Sequence, residues 1–368
     1  MRLALAQARA ARGRTHPNPP VGAIVFRGDR VLGRGRTRPP GGDHAEIVAI
    51  ESASRRFGAR ALRGASLAVT LEPCAHVGRT GPCTARITSA GLRHVYAGHV
   101  DPNPEVAGKG FRKLRGAGIS VRTGVLEAEC REQHRGFLSV HGLGRPFVSL
   151  KLGATLDGRI ATARGESRWI TGPAARGVVQ RLRSRSDAIL VGSGTALADD
   201  PELYARRGGR IVHRPLRVVA DSLLRLPLSS RLLRGEASRT WLLCSRAAPA
   251  SRRRALEARG AELIPVRRRG RGLDLSHGLS LLAQRGVTEI LVEGGGVLAA
   301  SLLREGLVDE VHWFVAPRLI GGDGRPALAA LTLDRLARAP ELVDLQVRRV
   351  GTDLYLRGRL AQRDGASR

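Results

Sequence analysis

Lysine is almost missing from this 368-residue chain. Of 62 basic residues only Lys109, Lys113 and Lys151 are lysines, and with 32 Asp and Glu the formal net charge is +30. Such an excess attracts phosphate backbones without regard to sequence. The arginines, however, are spread along the whole chain instead of forming one tail or patch, as a coding bias would give. The charge is therefore read as a solvated basic surface with a taste for small anions, and no nucleic-acid partner is expected. Aromatic residues make up 3% of the chain, too few for a protein that stacks single-stranded bases. Four cysteines cannot build a disulfide framework and point to the reducing cytoplasm. No apolar run of roughly 18 residues occurs, so no membrane-spanning helix is expected. The first 14 residues hold too many arginines and too short an apolar stretch for a secretory signal.

The remaining sequence shows α/β patterning. At about 150 residues per domain the length fits two domains, and 42% hydrophobic residues supply enough apolar side chains for two cores. Short β-rich runs alternate with helical ones in both halves. The first half predicts strands at Val21–Phe26, Arg30–Gly35, Ser66–Leu71, His94–Ala97 and Ile119–Arg122. Its helices are expected at Leu3–Ala11, His44–Arg56, Thr84–Ala90, Gly108–Gly116 and Glu127–Leu138. His141-Gly142-Leu143-Gly144-Arg145-Pro146 then punctuates the chain, so one domain is placed over residues 1–143 and another over 146–362. The second half predicts strands at Phe147–Leu152, Ala188–Val191, Leu216–Ala220, Thr240–Cys244, Glu262–Pro265, Glu289–Val292, Glu310–Val315 and Leu354–Arg357. Helices are expected at Pro173–Arg183, Arg252–Arg259, Ser280–Arg285 and Val297–Glu305, and Arg267–Arg271 reads as a surface loop.

The chemistry begins at His44-Ala45-Glu46, followed by Glu72-Pro73-Cys74 and then Cys83. One histidine and two thiolates make three ligands for a zinc ion and leave the fourth tetrahedral position to water, as a catalytic site requires. Bound zinc lowers the pKa of that water from about 15.7 to about 7. Glu46, two residues beyond His44 at a helix start, can reach the water without being a ligand and is the expected catalytic acid/base. The order follows the zinc-deaminase signature H-x-E with P-C-x-x-C, except that eight residues separate the cysteines. Cys83 must return to the metal across Ala75–Pro82, where Gly78 and Gly81-Pro82 allow a tight reversal. Pro73 is expected at the mouth of the next helix, where a missing N–H is harmless. Cys130 and Cys244 have no partner at ligand spacing and read as core thiols. His76 either faces substrate or is solvated. A non-catalytic zinc-stabilised binding protein would use the same ligands but would have no need of Glu46.

Four stretches carry a more specific signal: Thr15-His16-Pro17-Asn18-Pro19-Pro20-Val21-Gly22, Gly42-Asp43-His44-Ala45-Glu46, Thr70 through Cys83, and Asp101-Pro102-Asn103-Pro104 with Gly108-Lys109-Gly110. Together they resemble the deaminase half of the bifunctional riboflavin-biosynthesis deaminase/reductases (RibD-type), whose long loop stands in place of C-x-x-C. The resemblance implies a cytidine-deaminase-like α/β/α domain holding one zinc. It also implies hydrolysis of the 2-amino group of a 2,5-diamino-6-(5-phosphoribosylamino)pyrimidin-4-one. Asn18 would help hold the pyrimidine, or else form a simple Asn-Pro turn. Lys109 would meet the substrate phosphate or be solvated. The family usually has a few more residues before the Leu3–Ala11 helix, which leaves open either a start placed late or a missing short cap.

Lys151 through Arg159, Ser167 through Gly172, Gly194 through Pro201 and Glu293-Gly294-Gly295-Gly296 resemble the reductase half of the same family, whose α/β fold is similar to dihydrofolate reductase. Read on its own, Glu289–Val292 running into the glycine turn and the next helix offers a helix N-terminus whose free N–H groups can bind phosphate. It is not a dinucleotide fingerprint, since Gly192-Ser193-Gly194 lacks the third glycine. The resemblance implies NADPH as hydride donor to the ribosyl carbon, opening the sugar to a ribityl chain. Matched residue by residue, Gly153, Trp169, Thr195, Asp199, Ser222, Gly295, Gly296, Val297, Leu298, Ala299, Ala300 and Ser301 would lie on the cofactor side. Lys151, Ser167, Arg183, Leu203, Arg206 and Glu293 would line the phosphosugar. Trp169 is equally open to a core-packing role, and Lys151 to being a stranded surface residue. The family precedent implies a homo-oligomer. The main alternative is a nucleic-acid (tRNA-type) zinc deaminase with an appended domain, which leaves the second-half motifs unexplained.

Overall fold

The structure is a computed structural model, and it describes residues 1–75, 81–104, 106–235, 239–270 and 272–361. Its contacts divide the chain into two units, Met1–Pro146 with Arg285–Thr288, and Phe147–Gln284 with Glu289–Arg368. Among the described residues no helix is long and apolar enough to cross a membrane.

In the first unit the chain runs α1 (Arg2–Ala11), β1 (Gly22–Arg27), β2 (Arg30–Arg36), α2 (Ala45–Phe57), β3 (Ser66–Val69), α3 (Cys83–Ser89), β4 (His94–Ala97), α4 (Lys109–Gly116), β5 (Ser120–Arg122), α5 (Glu127–Gln133) and α6 (Arg135–Leu143). Among the described residues the strands form one five-stranded sheet in the order β2-β1-β3-β4-β5. β1 is antiparallel to β2 and β3, and β3, β4 and β5 run parallel. Ala23, Val25, Leu67, Val69, Val95 and Ala97 supply the sheet's share of a core completed by Ala45, Ala49, Ile50, Ile87 and Leu114 from the helices. The approach of α2 to the sheet is set by Gly35. A Cβ there would lie 2.0 Å from the Ala45 carbonyl oxygen, so only glycine lets the N-terminus of α2 sit this close to β2.

The second unit continues with β6 (Phe147–Thr155), β7 (Arg159–Ala161), α7 (Pro173–Arg183), β8 (Ala188–Gly192), α8 (Ser193–Asp199), β9 (Ala205–Arg207), β10 (Arg210–His213), β11 (Leu216–Ala220), β12 (Thr240–Ser245), α9 (Ala250–Ala258), β13 (Glu262–Val266), β14 (Arg268–Arg269), β15 (Gly272–Leu273), α10 (Leu275–Gln284), β16 (Glu289–Val292), α11 (Gly296–Arg304), β17 (Glu310–Ala316), β18 (Arg325–Pro326), β19 (Leu342–Val350) and β20 (Asp353–Leu360). Among the described residues its main sheet has nine strands in the order β13-β12-β11-β8-β16-β6-β17-β20-β19. The first seven are parallel, and β20 and β19 close the sheet as an antiparallel hairpin. The central strands β8, β11 and β16 are almost wholly buried, as a parallel sheet covered on both faces requires.

Both halves are α/β, and most elements fall within a residue or two of the expected spans. Three expectations need correction, and the strand β19 was not expected. The helix expected over Glu127–Leu138 breaks at His134, which leaves the helical conformation (φ −104°, ψ 16°) because its fully buried ring bonds to Thr70 and His99. Pro73 does not open a helix. The next one begins at Cys83 with Pro82 as its N-cap, so the proline at the cap is the second of the two. Arg268–Arg269 and Gly272–Leu273 pair as a small hairpin where a loop was expected, and their arginines remain exposed. β19 carries little sequence signal, because most of its side chains are exposed and the core-facing alternation that marks a strand is absent.

Candidate active sites

In the first unit His44 is the N-cap of α2, and Glu46 lies in that helix's first turn, 4% exposed. Cys83 opens α3, and Cys74 precedes it by 9 residues. His44 Nδ1 stands 3.2 Å from Cys83 Sγ and 3.6 Å from Cys74 Sγ, and the three ligand atoms lie within 4.8 Å of one another. A tetrahedral zinc with bonds of about 2.0–2.3 Å separates its ligand atoms by roughly 3.5–3.8 Å, so these side chains fit the ion with minor adjustment.

The four groups, His44, Glu46, Cys74 and Cys83, perturb one another strongly. Cys83 and His44 donate toward Cys74, and its thiol is drawn down to about 4 against the opposing effect of burial. The proton so retained, together with burial, pushes Cys83 far up. His44 is raised chiefly by its bond to Cys74. Burial, aided by the Cys74 thiolate, brings Glu46 up to about 7. A carboxyl poised near neutrality can both accept and return a proton.

In the second unit a cleft of about 870 Å³ opens where β16 runs into the Gly294-Gly295-Gly296 turn and α11. Ser167, Thr195, Asp199, Ser222, Gly295, Gly296, Val297, Leu298 and Ser301 all line it. The Gly295 N–H donates to Thr195 Oγ1 at 2.9 Å, tying α8 to the turn. Gly296 fits only as glycine, since a Cβ would stand 2.8 Å from the Pro326 oxygen and 2.9 Å from the Ala329 nitrogen.

Residues 146–356 match the family model of the RibD C-terminal domain, and residues 1–99 match that of the cytidine and deoxycytidylate deaminase zinc-binding region. The riboflavin biosynthesis protein RibD of Escherichia coli (strain K12) is 40% identical over 367 residues, covering 97% of each chain. Acinetobacter baumannii RibD (form 2) superposes with a TM-score of 0.87 at 34% identity, over 98% of this chain and 97% of that one. The Thermotoga maritima diaminohydroxyphosphoribosylaminopyrimidine deaminase/5-amino-6-(5-phosphoribosylamino)uracil reductase gives 0.84 at 34% identity, over 98% of this chain and 97% of that one. The chain belongs to the RibD family. It is a bifunctional enzyme of riboflavin biosynthesis, a zinc-binding deaminase domain followed by a reductase domain.

Several residues matched to the RibD pattern lie away from the cleft lining or in unexpected company. Ala299 and Ala300 are fully buried on the core side of α11, and Leu203 is 3% exposed in the core cluster. Gly153 lies on β6, outside the cleft lining. Trp169, also outside it, is 62% exposed with the Arg176 guanidinium 4.5 Å above its ring, which ends the core-packing alternative. Arg183 grips Glu293 through Nε at 2.6 Å and Nη2 at 2.9 Å. Arg206 is held by Glu202 at 2.6 Å and by the Gly209 oxygen at 3.0 Å. Lys151 is half-buried, and burial lowers its pKa, with Arg183 adding to this and Glu293 and Asp199 opposing. Burial alone would raise Glu293, but Arg183 and Lys151 hold it below the usual carboxylate range.

Cys130 and Cys244 are buried, as expected of core thiols. Asn18 is half-buried in the loop leading to β1, and Lys109 is exposed at the start of α4. His76 lies outside the described residues. Sequence reasoning missed Arg269, Arg304 and Arg325, which line the second cleft. In a chain so rich in arginine, no residue-type signal could have singled them out.

Proposed function

We propose that the first unit, residues 1–143, hydrolyses 2,5-diamino-6-(5-phosphoribosylamino)pyrimidin-4-one to the corresponding uracil and ammonia. The second, residues 146–362, then reduces the ribosyl group to ribityl with NADPH. The observation that carries this reading is the His44, Cys74 and Cys83 cluster with Glu46 buried against it. Zinc held by these three side chains supplies an activated water at neutral pH. Glu46 takes a proton from the attacking water and delivers it to the departing nitrogen, so the C–N bond breaks as ammonia forms. Asn18 holds the pyrimidine.

In the second unit the nicotinamide cofactor supplies the hydride. Thr195, Asp199, Ser222, Gly295, Gly296, Val297, Leu298 and Ser301, which line the cleft, bind it, with Gly153 and Trp169 on the cofactor side. Lys151, Ser167, Arg183, Arg206 and Glu293 shape the phosphosugar end, where paired Arg183 and Glu293 give a fixed polar wall. The protein works in the cytoplasm, in keeping with its four unpaired thiols. It assembles as a homo-oligomer, in keeping with Val343, Leu345 and Val347 exposed on the edge strand β19.

The test follows oxidation of NADPH by zinc-loaded protein given the undeaminated substrate. Oxidation that vanishes in Glu46→Gln and returns when the deaminated pyrimidine is supplied establishes both steps and their order. No oxidation with either pyrimidine sinks the reductase assignment.

A further inference from the structure

Glu72 stands two residues before the ligand Cys74 and is 3% exposed. Its carboxylate accepts four backbone N–H groups: Oε2 from Asp101 at 3.1 Å and Gly108 at 2.9 Å, Oε1 from Gly110 at 2.9 Å and Phe111 at 3.2 Å. Gly108 is the N-cap of α4 and has no side chain to offer its own helix; Gly110 and Phe111 belong to the first turn. Helix starts leave such donors orphaned and carry partial positive charge. Here the chain that carries the zinc ligand answers both. The backbone joins in: Glu72 N–H donates to the His99 oxygen at 3.1 Å, and a Cβ on Gly110 would stand 2.0 Å from the Pro73 oxygen.

We infer that Glu72 is a positioning residue of the deaminase site, clamping Asp101 and the start of α4 against the backbone that presents Cys74. The inference rests on the deaminase reading above. Capping α4 alone could be done by a serine or aspartate at its own N-cap. A buried carboxylate reaching across from beside Cys74 does something a local cap cannot, because it fixes the distance to backbone groups 29, 36, 38 and 39 residues away. Lys109, exposed at the head of the clamped helix, is thereby held at a set place relative to the metal ligands.

Two full-length variants break the clamp from opposite sides. Glu72→Gln keeps the shape, but whichever way its amide turns, two of the four N–H groups lose their acceptor. Gly110→Ala leaves the carboxylate and forces the two backbones apart. Both variants should keep one zinc and full reduction of the deaminated pyrimidine, and raise the deaminase KM about tenfold or more with kcat within about threefold. Zinc loss with a matching fall in kcat, or an unchanged KM, would overturn the inference. Amide exchange over residues 101–116 without substrate separates this from failure of the substrate assignment. Faster exchange in Glu72→Gln, even if the wild type ignores the diaminopyrimidine, keeps the clamp and removes the substrate; unchanged exchange removes the clamp.

Discussion

Arg183 and Glu293, 110 residues apart, meet in a two-pronged ion pair at 2.6 and 2.9 Å, with both side chains largely buried. The planar guanidinium matches the carboxylate edge to edge. Removing one partner strands the other charge away from water. Arg183→Ala should therefore destabilise the second unit by about 3–5 kcal/mol. Tryptophan fluorescence is a selective probe, because Trp169, Trp241 and Trp313 all belong to that unit. A loss below about 1 kcal/mol, the value of an exposed pair, would show that water reaches Glu293.

Glu46→Gln preserves the side-chain shape and removes the proton carrier. Ammonia release should fall by about 10²-fold or more, while zinc content stays at one per chain. Metal analysis beside an ammonia assay checks both. Loss of zinc in this variant would make Glu46 a ligand.

Metal removal should separate the two activities. Chelation, or Cys83→Ser, should abolish deamination and leave reduction of the deaminated pyrimidine unchanged, since the three ligands all lie in the first unit. A parallel loss of reduction would mean that the metal supports both units.

His134 and His99 set a pH limit on the first unit. The His99 Nδ1 proton goes to the Val100 oxygen at 2.8 Å, so His99 Nε2 accepts from His134 Nδ1 at 2.9 Å. His134 Nε2 is then left to accept from the Thr70 hydroxyl at 3.2 Å, and Thr70 accepts from Gly22 N–H at 3.1 Å. Burial lowers both histidines from the usual 6.5, in His134 against the Pro20 carbonyl, which favours the proton. The unfolded chain thus binds more protons below about pH 6.5. The pair's contribution to stability is complete above that value and is lost on acidification toward the folded pKa values, by about 1.4 kcal/mol per unit per histidine. Amide exchange of first-unit peptides at pH 7.5 and 5.5, compared between the wild type and His99→Gln, isolates it from the opposite slopes of Glu46 and His44; the same pH dependence in both proteins would refute the prediction.

Gly296→Ala places a methyl against the Pro326 oxygen and Ala329 nitrogen, so the start of α11 must shift within the cleft. The KM for NADPH should rise about tenfold with deamination untouched. An unchanged KM would place the cofactor away from this turn.

The strand and helix pattern was legible wherever one face of an element meets a core, as in β8, β11 and β16. The pattern failed at His134, where a side-chain network outweighs helical propensity, and at β19, whose side chains mostly face solvent. The zinc ligands were legible because few residue types bind the metal and their order along the chain is distinctive. Arg269, Arg304 and Arg325 were not, because each is one arginine among many.

By itself the sequence determined the α/β class of both halves and picked out His44, Cys74 and Cys83, which the fold brings within 4.8 Å of one another, with Glu46 two residues beyond the histidine. Those conclusions need only residue chemistry and spacing along the chain. Tertiary structure alone decided that Glu72 caps α4, that Arg183 closes on Glu293, and that Ala299 and Ala300 turn from the cleft that Val297 and Ser301 face. Such relationships depend on which backbone donors, charges and helix faces are brought together across tens of residues, and local periodicity carries no record of that.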